Sequence, residues 1–158
     1  MLRWLWLSAV VILLDQLSKY WIVKTFQLYE QLPVLPSFNL TLTYNKGAAF
    51  SFLANAGGWQ QGFFIMVALV VTLVLLVWLW RLSDQQRWEA IAISLLIGGA
   101  IGNLIDRIIS GQVTDFILLY YGDWSWPAFN IADSAITLGV AILLIDAVFF
   151  NRESPSKA

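Results

Sequence analysis

The chain has 158 residues, of which 59% are hydrophobic and only 12% charged, with a net charge of −1. A soluble domain carries about a quarter charged residues, so this composition and a mean hydropathy of +0.73 describe an integral membrane protein. The absence of cysteine and histidine excludes thiol nucleophiles, serine–histidine dyads, disulfides and zinc sites built on those ligands. Any acid–base chemistry must therefore come from Asp, Glu, Lys or Tyr, and no basic tract suggests a nucleic-acid partner.

The first apolar segment runs from about Trp4 to Phe26. It continues past Asp15 and Lys19 without a small-residue cleavage site, which predicts a retained span, not a removed leader. Asp15 and Lys19 stand at i and i+4, so they share one helix face. Either an intrahelical salt bridge or a direct role in a site fits that spacing. Residues 28–58 break the pattern. Pro33 and Pro36 interrupt any helix, and Phe38–Asn45 alternates apolar and polar with period two, as a half-buried strand does. Asn45-Lys46-Gly47 reads as a turn, and Ala48–Leu53 resumes an apolar, extended pattern. An open sheet edge cannot face lipid, so this β element belongs outside the hydrocarbon.

A second span, 59–82, has no charge before Arg81 and reads as structural. A third, 88–109, carries Gly98 and Gly102 in the small-xxx-small spacing that lets helices approach closely. It then carries Asn103, Asp106 and Arg107 in its last turns, and Gly111 ends it. Residues 111–130 form a second extramembrane segment, with strand-like Val113–Tyr120 and a crowd of aromatic residues suited to the interface. Trp124 and Trp126 read as anchors there. Asn130 is placed to cap a fourth span, 131–150, and Asp133 follows at i+3. A polar tail, 151–158, is expected to be disordered.

Four spans put both termini on one side. Arg3, Arg81, Arg87, Arg152 and Lys157 fall on that side, while Lys24 and Lys46 fall opposite, so the positive-inside rule makes the termini cytoplasmic. Asn45, Asn103, Asp106, Arg107, Asp115, Asn130 and Asp133 then map to one membrane level at the outer face. Ionisable groups near hydrocarbon are costly and point to function. Asp115 and Asp133 sit on different elements, and two close carboxylates share one proton. Such a pair can activate water and protonate a carbonyl oxygen or leaving amine. Arg107 could hold a substrate carbonyl, with Asn45 and Asn130 supplying hydrogen bonds and Asp106 holding Arg107 or a helix end. On these residues alone, an intramembrane aspartyl hydrolase, a small proton- or cation-coupled transporter and a structural polar network all remain open. Against the transporter, the acids gather at one rim, and the two halves show no inverted repeat.

Five ordered blocks narrow this further: Asp15-Gln-Leu-Ser-Lys19, Asn45–Leu53, Gly98–Arg107, Val113-Thr-Asp-Phe-Ile117 and Phe129–Ser134. Together they resemble the bacterial lipoprotein signal peptidases, or signal peptidase II. The resemblance implies an all-α membrane protein of four transmembrane helices with a small periplasmic β-cradle and an interfacial arm. It implies a multi-pass enzyme of the inner membrane whose active site faces the periplasm. It further implies cleavage of prolipoproteins before the diacylglyceryl-modified cysteine, without metal or cofactor, and inhibition by globomycin. Asp115 and Asp133 match the family's catalytic dyad. Asn45, Gly47, Asn103, Asp106, Arg107 and Asn130 match its substrate-binding or supporting residues, and Asp15 and Lys19 a pair that supports the site from the first helix. Small residues, Ala48, Ala49 and the glycines at 98–102, are expected to leave room either for a substrate backbone or for helix packing. Beyond prolipoprotein and membrane lipid no partner is implied, and a monomer is expected.

Overall fold

The computed structural model describes residues 1–47 and 59–149. The apolar run Ala48–Leu53 and the tail 151–158 lie outside the described residues. A short 3-10 turn, Leu2–Trp4, leads into α1 (Leu5–Thr25), and α2 (Trp59–Arg81), α3 (Arg87–Ser110) and α4 (Ile131–Phe149) follow. All four helices are long and apolar enough to cross a membrane.

The bundle is organised on α3. Two-thirds of its span (67%) is buried inside the protein, against 17% for α2 and α4. Its glycines explain why. A Cβ on Gly98 would lie 2.8 Å from the Val11 Cβ of α1, and one on Gly99 would strike the Ala132 carbonyl and Ile136 of α4. A Cβ on Gly102 would press on Asp15 and Ala132 together. The small residues at 98–102 therefore serve helix packing, with α1 on one side and α4 on the other. The alternative expectation, room for a substrate backbone, does not hold for them.

Apolar side chains on α1, α2 and α4 that find no place inside, such as Leu17, Leu73, Val74 and Leu144, stay on the outer surface. This is the inverse of a soluble bundle and suits a lipid solvent. Inside, Leu75, Leu79, Ile93 and Ile97 knit α2 to α3 near one end. Ile22, Phe26, Leu42 and Phe116 join α1 to the sheet at the other.

That sheet has four antiparallel strands in the order β1-β2-β3-β4: Gln31–Leu35, Phe38–Asn45, Val113–Tyr121 and Trp124–Ser125. Pro36 and Ser37 (φ 68°) turn β1 into β2. Pro33 is tolerated because β1 is the edge strand and wholly exposed. Strand β3 pairs with β2, Asp115 opposite Thr43, with an irregularity between Leu40 and Thr43. After β4 the chain returns to β3, where the Phe129 carbonyl accepts the N–H groups of Phe116 and Ile117. This return sets Asn130 and the start of α4 against Asp115.

Candidate active site

Asn130 is completely buried and joins three elements. Its Nδ2 donates to Asp115 Oδ1 at 2.7 Å, to the Thr114 carbonyl at 3.2 Å and to Asn103 Oδ1 at 3.2 Å. Its Oδ1 accepts the Asp133 N–H at 2.9 Å, while Asp133 Oδ2 accepts the Asn130 N–H at 3.3 Å. This reciprocal arrangement caps α4 and fixes Asp133 in its first turn. Asn103 Nδ2 then donates to the other Asp133 oxygen at 2.7 Å. Each carboxylate thus keeps one oriented amide partner, and Asn130 touches both residues.

Behind this layer lies a buried charge cluster. Lys19 Nζ contacts Asp15 at 2.7 Å and Asp106 at 3.0 Å, and donates to Asn103 Oδ1 at 3.0 Å. Asp15 Oδ1 accepts the Ala132 N–H at 2.9 Å, so a carboxylate on α1 sits at the positive end of α4. Asp106 also accepts from Gln16 Nε2 and from the Thr114 N–H, both at 3.0 Å. The expected salt bridge of Asp15 with Lys19 is present. The expected pairing of Asp106 with Arg107 is absent among the described residues. Adjacent residues on a helix point about 100° apart, so Asp106 faces α1 and Arg107 faces away from it. Through the Thr114 N–H, Asp106 holds the start of β3 and not a helix end.

Arg107 donates to the Gly47 carbonyl at 3.3 Å and to the Asn103 carbonyl at 3.4 Å. Gly47 is itself held by Asn45, whose Oδ1 accepts the Gly47 N–H at 2.9 Å. Asn45, Asn103, Arg107, Asp115 and Asp133 all line one cavity of about 780 Å³. Its remaining wall is largely apolar: Leu119, Trp126 and Phe129, then Ile136, Leu138 and Ala141 along α4. Trp126 thus lines the cavity as well as stacking edge-on against Trp124 at 5.7 Å, more than an anchor role requires. A second cavity of about 640 Å³ meets the first at Asn45, Asp115 and Trp126 and is lined by polar residues of β1 and β2, including Gln31, Thr41 and Thr43.

Asp115, on β3 outside the spans, is 3% exposed. Burial, and then the negative charge of Asp133, push its carboxyl from 3.8 up to about 7, against the opposing pull of Asn130, Lys19 and Asn45. A carboxyl poised near neutrality beside a second carboxylate is the arrangement general acid–base catalysis needs.

The family model for signal peptidase (SPase) II matches residues 7–149. The chain belongs to the signal peptidase II family. Among curated relatives, the lipoprotein signal peptidase of Photorhabdus laumondii is 51% identical over 99% of this chain and 93% of its own length. That of Pseudomonas aeruginosa is 48% identical over 99% and 94%, and that of Alteromonas mediterranea 49% over 99% and 85%. A solved bacterial membrane enzyme, determined by the in meso method at 2.3 Å resolution, superposes with a TM-score of 0.82 at 32% identity, covering 96% of this chain and 93% of the other. Membership makes the protein a membrane-embedded peptidase and decides against the transporter. Two groups beside Arg107 carry no motif in the sequence. Gln61 Nε2 donates to the Arg107 carbonyl at 3.0 Å, and the guanidinium lies 5.4 Å from the centre of the Phe64 ring. Both sit in an uncharged apolar run, where the only hint is the pair of glutamines at 60 and 61.

Proposed function

We propose that the protein removes signal peptides from prolipoproteins by cleaving before the diacylglyceryl-modified cysteine, with Asp115 and Asp133 as its catalytic dyad. The observation that carries this reading is that Asn130 donates to both carboxylates, to Asp115 from its side chain and to Asp133 from its backbone N–H, in the wall of a largely apolar cavity. One carboxyl holds a proton and the other is ionised. The ionised group takes a proton from water as its oxygen attacks the scissile carbonyl carbon. The protonated group gives its proton to the carbonyl oxygen, forming a tetrahedral diol. Collapse breaks the C–N bond, and a proton passes to the leaving α-amino group of the lipidated cysteine. Arg107 holds a neighbouring substrate carbonyl, and Asn45 with Gly47 shapes the wall beside it. Asn103, Asp106 and Asn130 orient the dyad, and Asp15 with Lys19 supports them from α1.

The apolar wall along α4 fits the acyl chains. The polar cavity over β1 and β2 fits an extended peptide. Both termini lie in the cytoplasm and the sheet in the periplasm, on the charge distribution of the loops. The chain acts as a monomer without cofactor in the inner membrane, and globomycin would compete for the same cavity.

The test is cleavage of a diacylglyceryl-modified prolipoprotein by purified protein in detergent, followed by gel shift. Cleavage that disappears in both Asp115→Asn and Asp133→Asn, each folded, supports the dyad. Undiminished cleavage in either variant rejects it.

A further inference from the structure

Helix α2 packs almost entirely against α3, and none of its described residues lines the cavity at the dyad. Yet its first turns hold Arg107 at both ends. Gln61 Nε2 donates to the Arg107 carbonyl at 3.0 Å, the same oxygen that accepts the Gly111 N–H at 3.1 Å where α3 stops. Gly111 is left-handed (φ 75°), and a Cβ there would meet the Gln61 amide at 3.2 Å. Gln61 therefore fits against the end of α3 as well as bonding to it. One turn on, the Phe64 ring faces the guanidinium. Residues 61 and 64 are i and i+3 and share a face. Phe63 packs edge-on to Phe64 at 5.4 Å and to Trp59 at 5.9 Å, so the ring is itself braced.

An arginine at a substrate site gains from this. Its long side chain has several rotamers to lose, and a ring face fixes the plane of the fork without consuming an N–H donor. The two N–H bonds that Arg107 makes among the described residues go to backbone carbonyls of Gly47 and Asn103. A carboxylate partner would have neutralised it, whereas an aromatic partner leaves its charge and remaining donors for a ligand. Asp115, Asp133 and Asp106 all lie within electrostatic reach, so an unrestrained guanidinium would be drawn toward the dyad.

We infer that Gln61 and Phe64 are positioning residues for Arg107, so that α2 sets the plane of the group that receives the substrate carbonyl. This rests on the role proposed above for Arg107. The experiment compares Phe64→Leu, Phe64→Tyr and Gln61→Ala in the full-length protein, with wild-type and Arg107→Ala backgrounds run in parallel. Cleavage of a diacylglyceryl-modified prolipoprotein is measured under single-turnover conditions, which resolve slow rates, together with thermal stability. Phe64→Leu is expected to lower kcat/KM about 3- to 30-fold, the span of a partly buried cation–π contact. Gln61→Ala falls in the same direction, and Phe64→Tyr, which keeps the ring, stays within about two-fold of wild type. In the Arg107→Ala background, Phe64→Leu adds no further loss, because its effect acts through the missing guanidinium. Wild-type turnover in Phe64→Leu, or an equal loss in both backgrounds, overturns the inference and leaves the reading of Arg107 standing. Wild-type turnover in Arg107→Ala overturns that reading, and the inference with it.

Discussion

The Asp15 carboxylate on α1 accepts the backbone N–H of Ala132 on α4, 117 positions along the chain, at 2.9 Å. The next residue is Asp133, so a group in the middle of the first span fixes the start of the helix that carries half of the proposed dyad. Removing one partner of a buried ion pair costs about 3–5 kcal/mol, because the other is left uncompensated. Asp15→Ala strands part of the Lys19 charge and uncaps α4. It is expected to lower the unfolding midpoint in detergent and to lose most activity. Asp15→Asn keeps an acceptor for Ala132 and is expected to cost less. An unchanged midpoint in Asp15→Ala would show that the contact is not stabilising.

The proposed dyad makes a pH prediction. Asp115, pushed to about 7, holds a proton below that value. Above it Asp115 is ionised and no longer supplies a proton for the carbonyl oxygen. The rate constant kcat/KM should therefore fall as pH rises through about 7. A profile from pH 5 to 9 that stays level on its alkaline side would place the proton elsewhere.

The same group predicts a stability slope. Its folded-state pKa, about 7, lies above the ordinary 3.8. Its contribution is therefore fully present below the lower value and lost as pH rises through the upper one. Asp115→Asn keeps the acceptor for Asn130 but cannot ionise. The variant should gain stability relative to wild type between pH 5 and pH 8, while its activity falls by about 10²- to 10⁴-fold, the usual contribution of an acid–base group. A stability difference that does not change with pH would mean that burial does not penalise the Asp115 carboxylate.

Much of this arrangement was legible beforehand, and the parts that were not have physical reasons. The alternation over Phe38–Asn45 matches the bounds of β2, although burial does not follow it: polar Asn39 and Thr41 are buried alongside Leu42 while Tyr44 is exposed, and the register shifts between Leu40 and Thr43. Asn130 caps α4, and Gly111 closes α3, as their residue types suggest. Strand β1 left no such mark: all five of its residues are exposed, so nothing forces an alternation. Of the two roles open to Asp106, pairing with Arg107 is not the one found, because adjacency in sequence is not adjacency on a helix face; Asp106 pairs with Lys19 and the Thr114 N–H instead. Phe64 was invisible as a partner for Arg107, since an aromatic residue in an apolar span reads as lipid-facing bulk until its neighbour in space is known.

The glycines on α3 predict a packing defect. Gly99 lies against the Ala132 backbone, which cannot yield as a side chain can. Gly99→Ala is expected to destabilise by about 1–3 kcal/mol, the usual cost of overpacking. Gly62, with open space around it, is the control: Gly62→Ala should be neutral or slightly stabilising, as alanine favours the helix. Equal melting temperatures for the two variants would contradict the close approach of α3 and α4.

Arg107→Ala should lower kcat/KM by about 10- to 100-fold, as loss of a charge-assisted bond to substrate would. The fold should survive, because the side chain's hydrogen bonds among the described residues reach only the backbone carbonyls of Asn103 and Gly47. Wild-type turnover in a folded variant would remove the carbonyl-holding role.

The cavity wall formed by Ile136, Leu138 and Ala141 belongs to a helix whose other apolar side chains, Val140, Leu144 and Ile145 among them, are exposed on the outer surface. A substrate anchored by acyl chains reaches such a site by diffusing in two dimensions. The quantity that saturates the enzyme is then the mole fraction of substrate in the bilayer or micelle, not its bulk molarity. Adding inert lipid at constant enzyme and substrate should slow turnover by surface dilution, and an apparent KM has meaning only beside the amount of lipid in which it was measured.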